Sequence, residues 1–154
     1  MKRILLISLA LGGLLTSCAV HTTENAQLDD AKAVEGTWQP ITAEIGGQPV
    51  PDTILKSITL KLDDGKYEAM AGTVPDKGTY TMDSDSKPRS MSITSTEGVN
   101  IGKTFPAIYE LNRDNSNGDT LEICYDLSGA KRPAEFKSIA GTQLYLVTYS
   151  RKKQ

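Results

Sequence analysis

From Gly36 onward, apolar and polar residues alternate with a period of two, and that alternation predicts strands. Eight segments carry it: Thr37–Ile45, Ser57–Leu62, Lys66–Ala71, Gly78–Met82, Ser90–Ser95, Phe105–Arg113, Thr120–Asp126 and Gln143–Arg151. Ile58, Leu60 and Leu62 share one face, with Thr59 and Lys61 opposite. Leu121, Ile123 and Tyr125 likewise oppose Glu122, Cys124 and Asp126, and Phe105, Ala107, Tyr109 and Leu111 oppose Ile108, Glu110 and Asn112. Gly46-Gly47, Asp63-Asp64-Gly65 and Asn115-Ser116-Asn117-Gly118-Asp119 supply the positive-φ positions that tight turns need. Pro51 to Leu55 suits one helical turn between the first two strands, and Leu28, Ala31 and Val34 suit another before the first. One face inward and one toward water, over short strands joined mostly by hairpin turns, predicts a single all-β domain. The expected form is an eight-stranded antiparallel up-and-down barrel, with a two-sheet sandwich as the alternative.

The pattern before Gly36 is different. Lys2-Arg3 precede an apolar run from Ile4 to Leu15, too short for a membrane span, which needs roughly 18 apolar residues. The run ends in Leu15-Thr16-Ser17-Cys18, which resembles a lipobox. In such a motif the small residues admit a peptidase, and the Cys thiol takes a diacylglyceryl group before cleavage frees its amine for another acyl chain. The expectation is a cleaved lipoprotein signal peptide over residues 1–17, lipidated Cys18 with a polar tether over 18–27, and the barrel domain over 28–154. Two or three acyl chains anchor far more firmly than one. Nine flexible tether residues would reach about 15–18 Å. Ala19 rather than Asp after the Cys favours, by similarity to enterobacterial sorting, the outer over the inner membrane of a bacterial envelope.

Composition narrows the function classes. Loss of Lys2 and Arg3 with the leader would take the formal charge from −2 to −4, and the terminal Arg151-Lys152-Lys153 is too short for a basic arm. A mildly acidic domain without a basic block argues against nucleic acid. With Cys18 lipidated, Cys124 has no partner for a disulfide. The single His, His21, lies in the tether, so Cys124 has no base held in place to activate it, and no ligand cluster suggests a metal site or cofactor. Asp83-Ser84-Asp85-Ser86 lacks the Gly and distal Glu of a calcium loop. No catalytic constellation is present, so the chain is not expected to be an enzyme.

Gly36-Thr37-Trp38 opens the first strand and Arg151 ends the last, which resembles the Gly-x-Trp element of lipocalins and the Arg that crosses its indole. The implied role is structural: barrel closure by Gly36, Trp38 and Arg151. Glu35-Gly36-Thr37-Trp38, Gly46-Gly47-Gln48-Pro49-Val50-Pro51, Gly78-Thr79-Tyr80, Ile108-Tyr109-Glu110-Leu111, Asp119-Thr120-Leu121-Glu122-Ile123-Cys124-Tyr125 and Arg132-Pro133-Ala134-Glu135-Phe136 follow in order. Together they resemble the small lipocalin-like domain family expanded in planctomycete bacteria, over about Leu28 to Arg151. That resemblance implies a fold and export but no reaction.

Six tyrosines against two phenylalanines suggest an interior with polar tips. Tyr67, Tyr80, Tyr109 and Tyr125 fall on the apolar faces of their strands and are the candidate ligand-lining residues. Arg132, Glu135 and Phe136 are candidates for a loop at the barrel mouth, with Arg132 and Glu135 facing a ligand or, alternatively, with the loop folded back over the barrel end, Phe136 plugging it and Arg132 satisfying carbonyls. Two functions remain: a barrel binding a small apolar or amphipathic molecule, or a solid barrel serving as an interaction or inhibitor module for an envelope protein. The anchor has a direct test. Cys18→Ser should abolish metabolic labelling by palmitate and move the protein to the soluble fraction; unlabelled wild-type protein would disprove the lipoprotein reading.

Overall fold

The computed structural model describes residues 30–114 and 116–153. The leader, Cys18, the tether and the start of the expected first helical turn lie outside the described residues. The chain forms β1 (Gly36–Ile45), β2 (Gln48–Pro49), β3 (Ile58–Asp63), β4 (Lys66–Ala71), β5 (Val74–Asp83), β6 (Ser90–Gly98), β7 (Thr104–Asn112), β8 (Thr120–Asp126) and β9 (Leu144–Arg151). Helical residues 30–33 precede β1, and a short helix, Asp52–Leu55, precedes β3. Strands β3 to β9 pair antiparallel in sequence order, and β1 pairs with both β3 and β9. The sheet therefore closes into an eight-stranded up-and-down barrel, with the two-residue β2 folded back on the end of β1.

Closure is made where β1 meets β9. Seven pairs run from Trp38↔Arg151 to Ile45↔Tyr145, with a bulge between Pro40 and Thr42. At the closed end Trp38 is fully buried, and its indole Nε1 donates to the Val34 carbonyl (2.8 Å). The Arg151 guanidinium lies 4.2 Å from the centre of the Trp38 ring. Its nitrogens donate to the carbonyls of Glu35 and Ala33 (2.5 Å to the latter) and to Asp119 Oδ2 (3.1 Å). Gly36 sits at φ +133°, and a Cβ there would come within 2.7 Å of Arg151 Nη1. A side chain at position 36 would thus be strained in its backbone and would displace the guanidinium.

Packing divides the barrel along its axis. Trp38, Leu62, Tyr80, Met82, Met91, Tyr109, Leu121 and Ile123 are buried in one core cluster toward the closed end. Toward the other end the inward positions of β4 shrink from Tyr67 to Ala69 and Ala71, opposite Leu62, Leu60 and Ile58. Two alanines where a barrel of this size would take large side chains leave space unfilled.

Two strands run further than the alternation suggests. β5 begins at Val74 and β6 extends to Gly98, with a register shift between Lys77 and Gly78. A Cβ at Gly78 would lie 1.9 Å from the Thr94 carbonyl oxygen, so only glycine allows the two backbones this close.

The seam predicts a measurable coupling. In a double-mutant cycle on Trp38→Phe and Arg151→Ala, the stability losses should be non-additive by about 0.5–2 kcal/mol, as for a partly buried cation–π contact. Strict additivity would mean that the stacking contributes nothing.

Candidate functional site: an apolar cavity at the open end

The unfilled end of the barrel holds a cavity of about 550 Å³. Ile58, Leu60, Ala69 and Ala71 from the β3–β4 hairpin form one wall, with Ile93 and Phe105 farther round. Tyr67, Tyr125, Tyr145 and Tyr149 add phenol rings. The mouth is bordered by Pro49–Ile54, by the β4–β5 turn with Val74, and by the β6–β7 turn with Val99 and Asn100. Gln39 holds the first of these borders, since its amide donates to the carbonyls of Leu55 and Ile58 at 2.7 Å each. Ile45, Ile54, Val74 and Val99 on this rim are exposed, Val99 by 69%. A run of exposed aliphatic residues around an apolar opening is unusual for a surface meant only for water.

The polar groups of the cavity are few and placed. Tyr67 Oη donates to Asp76 Oδ2 (2.7 Å), while Asp76 Oδ1 accepts from Ser95 Oγ (2.9 Å) and from the Asn100 backbone N–H (3.3 Å). Across the cavity the rings of Tyr125 and Tyr145 stack with their centres 5.7 Å apart. Among the described residues, Asp76 is the one charged residue in the cavity lining, which contains no Lys, Arg or His.

The four tyrosines singled out in the sequence all point inward and are buried. Only Tyr67 and Tyr125 reach the cavity. Tyr80 and Tyr109 lie nearer the closed end, and this corrects their assignment to a ligand-lining wall. Tyr109 Oη donates to Asp30 Oδ2 (2.9 Å), which ties the helical residues 30–33 to the barrel, and the Tyr80 hydroxyl is buried with no hydrogen-bond partner among the described residues. In their place Tyr145 and Tyr149 line the cavity, as the period-two face of β9 would have indicated. Asp76 was not visible as a site residue, because Pro75, Asp76 and Lys77 interrupt the alternation by which β5 was recognised.

The loop carrying Arg132, Glu135 and Phe136 is corrected in part: Arg132 satisfies carbonyls, as the second reading expected, but none of the three residues lines the cavity and Phe136 does not plug it. Leu127 joins the cavity lining, but the part of the loop with these three residues runs along the outer wall. Arg132 Nη1 donates to the carbonyls of Met91 and Ala107 (2.5 and 2.6 Å) and Nη2 to Ser92 Oγ (3.0 Å). Glu135 pairs with Lys137 (2.9 Å) in solvent, and Phe136, half-buried, takes no part in the cavity lining. The physical reason lies in the outer faces of β7 and β8, where Ile108 and Cys124 are apolar and need cover. Both are buried, and the Lys137 carbonyl accepts a weak hydrogen bond from Cys124 Sγ (3.5 Å). Burial, ahead of the nearby Glu122 and Asp126 charges, pushes the Cys124 thiol above its usual range and away from nucleophilic reactivity. Asp126 anchors the loop, accepting from Ser128 Oγ (2.5 Å) and from the Lys131 N–H (2.8 Å). Among the described residues no three His, Cys, Asp or Glu side chains gather as a metal site.

Comparison with known protein families, with curated proteins and with solved structures finds no match.

The tyrosines make a pH prediction. Burial is the largest cause holding the phenols of Tyr67, Tyr80, Tyr109, Tyr125, Tyr145 and Tyr149 above the ordinary value, to about 12 for Tyr67 and Tyr145. Unfolded tyrosine titrates near pH ~10. Below that both states keep the phenolic proton, and the contribution to stability is complete. Above it the unfolded chain binds fewer protons than the folded one, so stability falls as pH rises toward 12. The urea midpoint should drop between about pH 9 and pH 11, with little phenolate absorbance until the protein unfolds. A midpoint that holds through this window, or native phenolate appearing near pH ~10, would contradict the burial described here.

Proposed function

We propose that this protein is a non-catalytic binding module for a small apolar or amphipathic molecule, held at a bacterial cell envelope by lipid on Cys18. The observation that carries the reading is the cavity of about 550 Å³ with its aliphatic rim. Its volume falls within the roughly 300–1,000 Å³ of small-molecule sites, and its composition, apolar with a few converging polar groups, is the usual one. Close-packed cores do not leave voids of this size, and an occupant would remove both wall and rim from water at about 25 cal/mol per Å².

The placement of the chain supports the same reading. Asp30 accepts from Tyr109 Oη (2.9 Å) and pairs with Arg89 (3.2 Å), which brings the chain into the barrel at its closed end. A tether joining the described residues at Asp30 meets the barrel at the end opposite the mouth, which suits exchange of a ligand there. The outer membrane is the preferred site over the inner, from the residue after Cys18.

Titration with the neutral fluorophore N-phenyl-1-naphthylamine tests this. The wild-type domain should bind it saturably with enhanced emission. Ala69→Trp, which places an indole in the cavity, should weaken binding by about tenfold or more, corresponding to about 1.4 kcal/mol, without lowering the melting temperature. A domain that binds no probe would point instead to a protein partner at the exposed rim.

A further inference from the structure

The cavity carries information about the head group of its occupant. A carboxylate is expensive in apolar surroundings unless its oxygens are satisfied or its charge is matched. Asp76 stands at the mouth of a cavity otherwise made of aliphatic and aromatic side chains and one Asn. Three donors reach it, Ser95 and Asn100 at Oδ1 and Tyr67 at Oδ2, and no cation pairs with it among the described residues. Its neighbour Lys77 points to the outer face, where it pairs with Glu68 (3.4 Å). A carboxylate has about four lone-pair sites, and three donors leave one unused, on the oxygen that accepts from Tyr67 alone.

We infer that the cavity selects an amphiphile whose head is a hydrogen-bond donor, an ammonium before a hydroxyl, and rejects one whose head is a carboxylate. The apolar tail fills the space between Ala69, Ala71, Ile93 and Phe105, and the head lies at the mouth beside Asp76 and Tyr67. An ammonium meets the unmatched charge and the free lone pair together. A hydroxyl meets the lone pair only. A fatty-acid anion brings a second negative charge to Asp76 with no basic side chain among the described lining residues to offset it, and like charges so close disfavour binding strongly. The inference rests on the hollow-barrel reading above and adds the chemical class of ligand to it.

The test is competition against bound N-phenyl-1-naphthylamine by dodecylamine, dodecanol and dodecanoate at neutral pH, each below its micelle concentration. All three share one tail, so differences belong to the head. The expected order is amine, then alcohol, then carboxylate, with a ratio between first and last of about tenfold or more. Asp76→Asn should collapse that ratio. Tyr67→Phe keeps the ring and frees Oδ2 from its donor, so it should widen the ratio. This second variant keeps the test informative where the first disturbs the β6–β7 turn. Dodecanoate competing as well as dodecylamine, or a ratio unmoved in both variants, overturns the inference while the cavity reading stands. If the neutral probe itself fails to bind, the cavity reading falls, and the inference with it.

Discussion

The meeting of β1 with β9 is the constraint on which everything else rests. An antiparallel meander of eight strands has two edges, and each exposes unpaired backbone groups until the first strand finds the last. Here the pairing is secured at the closed end by one guanidinium. Arg151 stacks on Trp38, reaches the carbonyls of Glu35 and Ala33 in the preceding chain, and meets Asp119 from the far side of the seam. One side chain thereby joins the entering segment, the first strand, the last strand and the β7–β8 turn. It fits only because position 36 has no Cβ. With the edges joined, the barrel encloses a fixed interior, and what fills that interior becomes the functional question.

The sequence fills the interior unevenly. Tryptophan, tyrosine, methionine and leucine crowd the end nearest the seam's anchor, while β4 offers Ala69 and Ala71 at the other. An up-and-down barrel cannot collapse onto such a gap, because its circumference is set by strand number and backbone pairing. Small residues inside a closed barrel therefore translate into volume rather than into closer strands. The exposed aliphatic residues at the rim follow the same logic, since Ile54, Val74 and Val99 extend the apolar lining to the point where solvent begins.

Much of this was legible in the amino-acid pattern. Period-two alternation with Gly- and Asp-rich turns defined the eight barrel strands, and Gly36, Trp38 and Arg151 stood out by their resemblance to the Gly-x-Trp element of lipocalins and its Arg. The interior direction of Tyr67, Tyr80, Tyr109 and Tyr125 followed from the same alternation. Which of them faced space and which faced core did not, because that depends on height along the barrel axis and so on strand register. The β8–β9 loop misled for a related reason. Arg132 and Phe136 carry polar and aromatic character that suits a binding mouth, yet the apolar outer residues Ile108 and Cys124 draw the loop down the wall. Asp76 was hidden because the segment from Val74 to Lys77 pairs as a strand without alternating as one.

The two oxygens of Asp76 do different work, and the difference separates architecture from recognition. Oδ1 joins Ser95 to Asn100 and so fixes the end of β6 and the turn that follows it, where Gly98 at φ +100° brings its backbone close to that of Asp76. That role would be served by any well-placed acceptor, and a neutral amide oxygen would supply it with less desolvation. Oδ2 is different. It accepts only from Tyr67, whose hydroxyl that carboxylate holds in an otherwise apolar wall. A phenol donating to a carboxylate beside an apolar volume suits a third group, since among the described residues no cation pairs with Asp76. The architectural role of Oδ1 explains why a polar residue stands at this position. Under the proposed function, the negative charge on the pair is matched by the head group of the ligand at the mouth.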